Sequence, residues 1–478
     1  MAGALAGARG SQRAGRPPNL VLILTDNHGA WTLGCYGNRD VRTPHIDRLA
    51  AEGALFTRAF AVNAVCSPTR ASLLTGLMPS QHGVHRYLGA GGAQVGPGAY
   101  NTIGEFASLP SILTRNGYAA GLTGKWHLGG NLTPQSGFKY WVTKPHGGSA
   151  GFYDQEIIEN GRIRVEPTYL TQFWTDHAIR FMEQNRQAPF FLFLSYNGPY
   201  GLGSSMKEPV RNRHAAHYAD KDLPSFPRDY PHPWEFNYRD WMSDVHVRRK
   251  YAAEISGIDD GAGRILDTLA RLGLDRDTLV IFTADQGLAG GQSGFWGMGD
   301  HTRPLTAFDW TTWVPLIFRH PGRIGGGARH AQMVDTCDLL PTILEHLGLE
   351  TEMPKAPPLP GRSFAPLLAG RPLEWQNEVH FEFENVRAIR TPEWKYIERI
   401  HETPNELYDL RKDPGERMNL YGREGVESVQ RQLRTRLHDF FNRYADPKWD
   451  LWKGGKSKSG LITRALFGIP NGNEGVVR

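Results

Sequence analysis

Asn19-Leu20-Val21-Leu22-Ile23-Leu24-Thr25 is an unbroken apolar run that ends in the polar pair Asp26-Asn27. A run this short, with no helical period, predicts a strand buried on both faces, as in the middle of a parallel sheet. Similar runs recur at 118–123, 189–196, 279–283 and 314–318. Helical spacing fills the gaps between them. Thr43-Pro44 reads as a cap with proline in the first turn, and Ile46, Leu49 and Ala50 form one apolar face before Gly53. Residues 168–186, 248–272 and 336–347 are further predicted helices. In the second, Tyr251, Ile255, Ile258, Ile265, Leu266 and Leu269 supply the apolar positions, and Gly273 stops it. Strands alternating with helices predict an α/β fold on a large, mainly parallel sheet flanked by helices.

After Pro372 the character of the chain changes. Residues 379–384 and 394–399 read as short strands, and 424–442 as an amphipathic helix carrying Val426, Val429, Leu433, Leu437 and Phe440. The expected division is a disordered N-terminus at 1–17, a large α/β domain at 18–375, a smaller C-terminal α+β subdomain at 376–450, and a tail at 451–478. Of the 478 residues, 40% are hydrophobic and 22% charged, which is the balance of an ordinary globular protein. The net charge of +5 is too small on this length to suggest a nucleic-acid partner. Three cysteines, Cys35, Cys66 and Cys337, make no disulfide framework. The Gly-, Ala- and Arg-rich start lacks the apolar stretch of a signal peptide, and no run reaches the ~18 apolar residues of a membrane span. The expectation is therefore a cytoplasmic protein with no membrane association.

Four of the predicted strands run into polar residues. They are Asp26-Asn27, then Gly124-Lys125-Trp126-His127, then Asn197, then Asp285-Gln286-Gly287. Open parallel sheets bind ligands outside the carboxyl ends of their strands. Loop polarity explains any one of these clusters; four together favour a site.

Cys66-Ser67-Pro68-Thr69-Arg70 is the most informative stretch. Ser67-Pro68 starts a helix that continues to Gly76, so Cys66 lies at a helix N-terminus, where free N–H groups and the dipole favour an anion. Arg70, one turn on, can turn a permanent positive charge back towards Cys66. On local grounds alone this predicts a thiol of lowered pKa.

The pentapeptide also resembles the motif read by enzymes that oxidise cysteine to formylglycine. It lies in a longer similar segment, from Asn63-Ala64-Val65-Cys66 through Leu73-Leu74-Thr75-Gly76 to Pro79-Ser80-Gln81-His82-Gly83. Asp26, Thr43-Pro44-His45-Ile46-Asp47, Gly124-Lys125-Trp126-His127-Leu128-Gly129, Val314-Pro315-Leu316-Ile317 and Glu406-Leu407-Tyr408-Asp409-Leu410 extend the likeness over most of 19–421. The chain resembles the formylglycine-dependent, arylsulfatase-like members of the sulfatase family, which implies an alkaline-phosphatase-like fold.

The resemblance implies a catalytic set of Cys66, Arg70, Lys125 and His127. Hydrated formylglycine at position 66 would be the nucleophile, Lys125 would bind the sulfate oxygens, and His127 would bind the diol and help release sulfate. It also implies one divalent cation, usually calcium, held by Asp26, Asn27, Asp285, Gln286 and residue 66. Asn27 stands where the family commonly has a second aspartate. Asn27 and Gln286 could instead stand behind the metal and orient its ligands. Two further departures concern the leaving group. Tyr200, in Asn197-Gly198-Pro199-Tyr200, and Met298, after Trp296-Gly297, replace a usual histidine and lysine. Tyr200, His301 and His214 are the candidates to contact substrate in their place. The implied reaction is hydrolysis of a sulfate ester, on a carbohydrate or another organic sulfate, by an enzyme matured by a formylglycine-generating enzyme. The alternatives are a phosphodiester or phosphonate monoester hydrolase on the same scaffold, a degenerate anion-binding relative, and an unmodified cysteine enzyme.

Overall fold

The computed structural model describes residues 16–90 and 92–468. Of the stretch 1–17, expected to be disordered, residues 1–15 lie outside the described residues, as does 469–478 of the expected tail. No helix among the described residues is long and apolar enough to cross a membrane.

In chain order the strands of the main sheet are β1 (Asn19–Asp26), β2 (Ala54–Phe60), β3 (Ala119–Gly124), β4 (Tyr140–Thr143), β5 (Gln155–Glu159), β6 (Arg162–Glu166), β7 (Phe190–Pro199) and β8 (Thr278–Ala284). A short ribbon, β9 (Ala289–Gly290) and β10 (Trp296–Gly297), follows, before β11 (Trp313–Val314), β12 (Leu316–Arg319) and β13 (Ala328–Asp335) return to the main sheet. The centre, in the order β8-β1-β7-β3-β4, is parallel. The margins, β12 beside β8 and β5 and β6 beyond β4, are antiparallel. The sheet is thus mixed, with a long parallel block in the middle and one further parallel pair, β13 on β2, at the margin. The run at 314–318 is not one strand. Pro315 has no N–H to give a ladder, so the segment splits into β11 and β12, both antiparallel to β2.

β1 is central and wholly buried. Val21 and Ile23 face one apolar layer, while Leu20, Leu22 and Leu24 face the other, the two-residue alternation of a strand covered on both sides. On the first side lie the helices Pro44–Ala51, Leu170–Asn185 and Val245–Arg271. The last buries Val247, Tyr251, Ile255, Ile258, Ile265 and Leu269, and Asp244 caps it by accepting from the His246 amide. On the second side lie Cys66–Thr75, Leu109–Arg115 and Leu339–Leu347. The helix Cys66–Thr75 is buried along its whole length, and Gly76, at φ 71°, turns the chain out of it in the left-handed conformation.

β14 (Val379–Phe383), β15 (Val386–Arg390), β16 (Trp394–Arg399) and β17 (Glu406–Asp409) form a separate antiparallel meander. The helix Glu427–Tyr444 packs on it through Leu433, Leu437 and Phe441. The segment after it returns to the main body. Lys458 pairs with Glu105, and Ser459 Oγ accepts from the amides of His85 and Arg86.

Candidate active site

The helix Cys66–Thr75 aims its first residue at the carboxyl ends of β1 and β8. Asn63 sets the approach by accepting from the Val65 amide at 2.9 Å, and Thr69 Oγ1 donates back to the Asn63 and Val65 carbonyls. Ser67 Oγ donates to the His127 carbonyl and accepts from the Leu88 amide. The small polar residues around Cys66 therefore lock three loops together. Cys66 Sγ is 3.4 Å from Asp26 Oδ1 and 3.2 Å from Gln286 Nε2. Oxygen and sulfur atoms of Asp26, Cys66 and Asp285 lie within 4.8 Å of one another.

Two cations balance the two carboxylates. Arg70 is 1% exposed and reaches Asp285 Oδ2 through Nε at 2.9 Å and Nη2 at 2.8 Å, with Nη1 on Ser195 Oγ and the Lys125 carbonyl. Lys125 Nζ pairs with Asp26 Oδ2. Burial opposes both charges, but Asp285 and Asp26 outweigh it at Arg70, and Asp26 and Cys66 do so at Lys125, so both pKa values rise. Asp285 is pushed up to about 6 by burial and by the charge of Asp26. Burial and Asp26 also push the Cys66 thiol well up. This reverses the expectation of a low-pKa thiol, because loss of water and two acidic neighbours outweigh the helix end.

Lys125 and His127 follow the end of β3. Gly124 has φ 108° and His127 φ 58°, so the backbone coils past the end of β3. Both side chains still reach the site. His127 Nε2 is 2.9 Å from the Leu88 carbonyl, which can only accept, so the proton sits on Nε2. Nδ1 is left bare, buried and without a partner. Burial and the charge on Lys125 keep the ring neutral, with its pKa well below the usual value.

Asn27, at φ 57°, faces Gln286, and their side-chain amides meet between Asn27 Oδ1 and Gln286 Nε2. Gln286 Oε1 is buried with no partner. Asn27 Nδ2 donates to the Tyr200 carbonyl, and its backbone N–H to Asp285 Oδ1. Two carboxylates and two side-chain amides meet here, and one of the amide oxygens, Gln286 Oε1, is the orphan. Such a set of hard donors suits a divalent cation of the calcium or magnesium kind.

The cluster floors a cavity of about 490 Å³ that Cys66, His127, Tyr200, Met298 and His301 all line. His214 is not among them. It bonds Asp260 Oδ2 at 2.8 Å in a different cavity, beside the helix Val245–Arg271, because Asn212 and Arg213 carry the chain onto that helix. His217, His232 and His246 stay away as well, packed on Tyr218, on Phe295 and on the Glu208 carbonyl respectively. The structure adds residues that spacing did not reveal. His146, Asp300, Tyr87 and Tyr238 line the cavity. Lys144 is 3% exposed just past β4, and burial with the neighbouring Lys125 lowers its pKa to about 8. The one available signal was Lys144-Pro145-His146 after a short apolar strand.

The family model described as Sulfatase matches residues 18–349, and that described as N-sulphoglucosamine sulphohydrolase, C-terminal, matches 305–443. An N-acetylgalactosamine-6-sulfatase of Sus scrofa is 30% identical over 85% of this chain and 82% of its own. A structure solved in complex with its substrate, D-glucosamine-2-N, 6-O-disulfate, superposes with a TM-score of 0.70 at 24% identity, over 90% of this chain and 98% of that one. The phosphonate monoester hydrolase of Agrobacterium radiobacter superposes with a TM-score of 0.68, also at 24% identity, over 90% and 96%.

Proposed function

The chain belongs to the sulfatase family of sulfuric ester hydrolases, and from that premise we propose that it cleaves a sulfate ester on a sugar with an oxygen nucleophile made from Cys66. One observation carries the reading: Cys66 opens a buried helix directly against Asp26, with Asp285, Arg70 and Lys125 gathered round it. The thiol itself is held protonated, which disfavours an unmodified cysteine enzyme. Oxidised to formylglycine by a formylglycine-generating enzyme and hydrated, residue 66 supplies a hydroxyl as nucleophile. Asp26, Asp285, Asn27 and Gln286 would hold the cation, calcium by their hard oxygens, and its charge would neutralise the sulfate.

The chain's own groups do the rest. Arg70 and Lys125 fix the two carboxylates and present permanent positive charge to the sulfate oxygens. His127 offers its bare Nδ1 as the acceptor for the proton of the second hydroxyl when sulfate is released, with Leu88 fixing the tautomer. Tyr87 and Tyr238 give the cavity aromatic walls on which a sugar ring can stack. The sugar class is favoured by the N-acetylgalactosamine-6-sulfatase and by the disulfated glucosamine complex among the relatives.

Two measurements test this. The mass of tryptic peptide 59–70, from protein made with a formylglycine-generating enzyme, should show the aldehyde and its capture by a hydrazide. Paired kinetics on 4-nitrophenyl sulfate, 4-nitrophenyl phosphate and a phenylphosphonate monoester should favour the sulfate. A preference for the phosphonate would move the assignment to the chemistry of the Agrobacterium relative.

A further inference from the structure

The cavity holds several side chains that carry a transferable proton, His127, His146, Tyr200 and His301 among them. Any of these is a candidate acid for the departing alcohol where Tyr200 and Met298 replace the usual residues. His127 cannot serve, since its Nε2 proton is committed to the Leu88 carbonyl and Nδ1 has none. Tyr200 is tied through its backbone to the carboxylate cluster, its N–H donating to the Asp26 carbonyl and its own carbonyl accepting from Asn27 Nδ2.

His301 is different. It sits three residues after Met298, and its amide donates to the Met298 carbonyl at 3.1 Å, while its own carbonyl accepts from Phe236. The ring lies against Gly297, where a Cβ would come within 3.0 Å of it, and 4.8 Å from the Tyr238 ring. Asn237 Nδ2 is 2.9 Å from His301 Nδ1. The Asn237 amide can serve either charge state of the ring, donating to a bare Nδ1 or, turned over, accepting from a protonated one. Nε2 has no hydrogen-bond partner, and neither does Asp300 Oδ1, 3.4 Å away. Both residues line the cavity that holds Cys66. The Nε2 proton is thus held by an oriented ring beside a carboxylate and committed to no acceptor. His146, the third histidine of the cavity, has a buried Nδ1 with no hydrogen-bond partner.

We propose that His301 is the catalytic acid that protonates the leaving oxygen and that Asp300 is its positioning residue, an assignment that rests on reading residue 66 as the oxygen nucleophile. As the oxygen on residue 66 forms its bond to sulfur, its proton passes to Asp26, the group to which Cys66 already points. The S–O bond of the ester breaks, and its electron pair stays on the alcohol oxygen. The His301 imidazolium gives that oxygen its Nε2 proton. A neutral alcohol leaves, and the neutral imidazole regains its proton from water.

A series from 4-nitrophenyl sulfate through phenyl sulfate to 4-methoxyphenyl sulfate tests the assignment, with wild type, H301Q, D300N, Y200F and H146Q all carrying formylglycine. An acid matters most where the leaving group is poor. H301Q should lose about 100-fold or more in kcat on phenyl sulfate but less than about fivefold on 4-nitrophenyl sulfate. D300N should steepen the same dependence by a smaller factor, and it serves as the decisive variant if H301Q does not fold. A loss equal across the series in H301Q and D300N, or the steep dependence appearing in Y200F or H146Q instead, overturns the assignment and leaves the sulfatase reading intact. A wild type that hydrolyses none of the three esters overturns the functional reading itself, and the acid with it.

Discussion

Nη2 of Arg70 lies 2.8 Å from Asp285 Oδ2 and 4.0 Å from Asp26 Oδ2, so one buried guanidinium spans both carboxylates of the cluster. Removing it leaves two buried acids with Lys125 as the only cation paired to them among the described residues. Arg70→Met should cost about 3–5 kcal/mol of stability and abolish turnover, whereas Arg70→Lys cannot reproduce the paired contacts of Nε and Nη2. Thermal melts with kinetics would check this. A melting temperature for Arg70→Met equal to that of wild type would contradict it.

The unmodified Cys66 should be nearly inert. Its pKa is raised by burial and by Asp26, and only the thiolate attacks alkylating agents. In protein made without a formylglycine-generating enzyme, iodoacetamide at pH 8 should label denatured Cys66 rapidly and native Cys66 hardly at all. Rapid labelling of the native protein would show that the thiol is neither buried nor protonated.

A cation that binds only the folded site stabilises it by mass action. Calcium at a hundredfold excess over its dissociation constant should add about 2.7 kcal/mol, read as a rise in Tm that a chelator reverses. Asp26→Asn and Asp285→Asn should abolish the calcium response even in protein with Cys66 unmodified, so the measurement does not depend on activity. An unchanged response in both variants would place the cation elsewhere.

Asp259 accepts from the amides of His45 and Ile46, yet burial raises its pKa from 3.8 to about 7. Between those values the folded state keeps a proton that the unfolded chain has released. Stability at this site is therefore present below pH 3.8 and falls as pH rises towards about 7. Asp259→Asn keeps an acceptor and removes the titration. Its Tm relative to wild type should rise between pH 5 and pH 8, and a pH-independent difference would refute the account.

Lys395 pairs with both Asp309 and Glu416, and Arg390 also reaches Asp309. Lys395→Met should cost about 3–5 kcal/mol, since it leaves the buried Glu416 without its cation and Asp309 with Arg390 alone. A melting temperature within one degree of wild type would rule out this role.

The parallel centre of the fold was legible because β1, β3, β7 and β8 are continuous apolar runs; the polar residues that end β1, β3 and β8 meet in the site, whereas Asn197 of β7 is tied up with Trp174 and Ser149. The margins were not. β5 and β6 are short, and β6 is largely exposed, so neither bears the mark of a buried strand. Cys66, Arg70, Lys125, Asp26 and Asp285 could be found because their chemistry lies at strand and helix ends. His146 and Asp300 could not, since loops of irregular backbone place them and no period in the sequence encodes that. His214 misled for the same reason: its position before the long helix fixed its distance along the chain, not its direction.

The loop that carries Met298, Asp300 and His301 is tied down from far along the chain. Ser293 Oγ donates to the Gly415 carbonyl, the Asp309 amide to Glu416, and Arg399 to the Leu305 carbonyl. During synthesis, Cys66, the carboxylates Asp26 and Asp285 and the cations Arg70 and Lys125 emerge once residue 285 has left the ribosome. The wall opposite them gains its anchors only once residue 416 has left the ribosome. The pocket is therefore finished from the outside, after the chemical floor is in place, and a nascent chain cut short at the large sheet would hold the reactive groups without the surface that selects what reaches them.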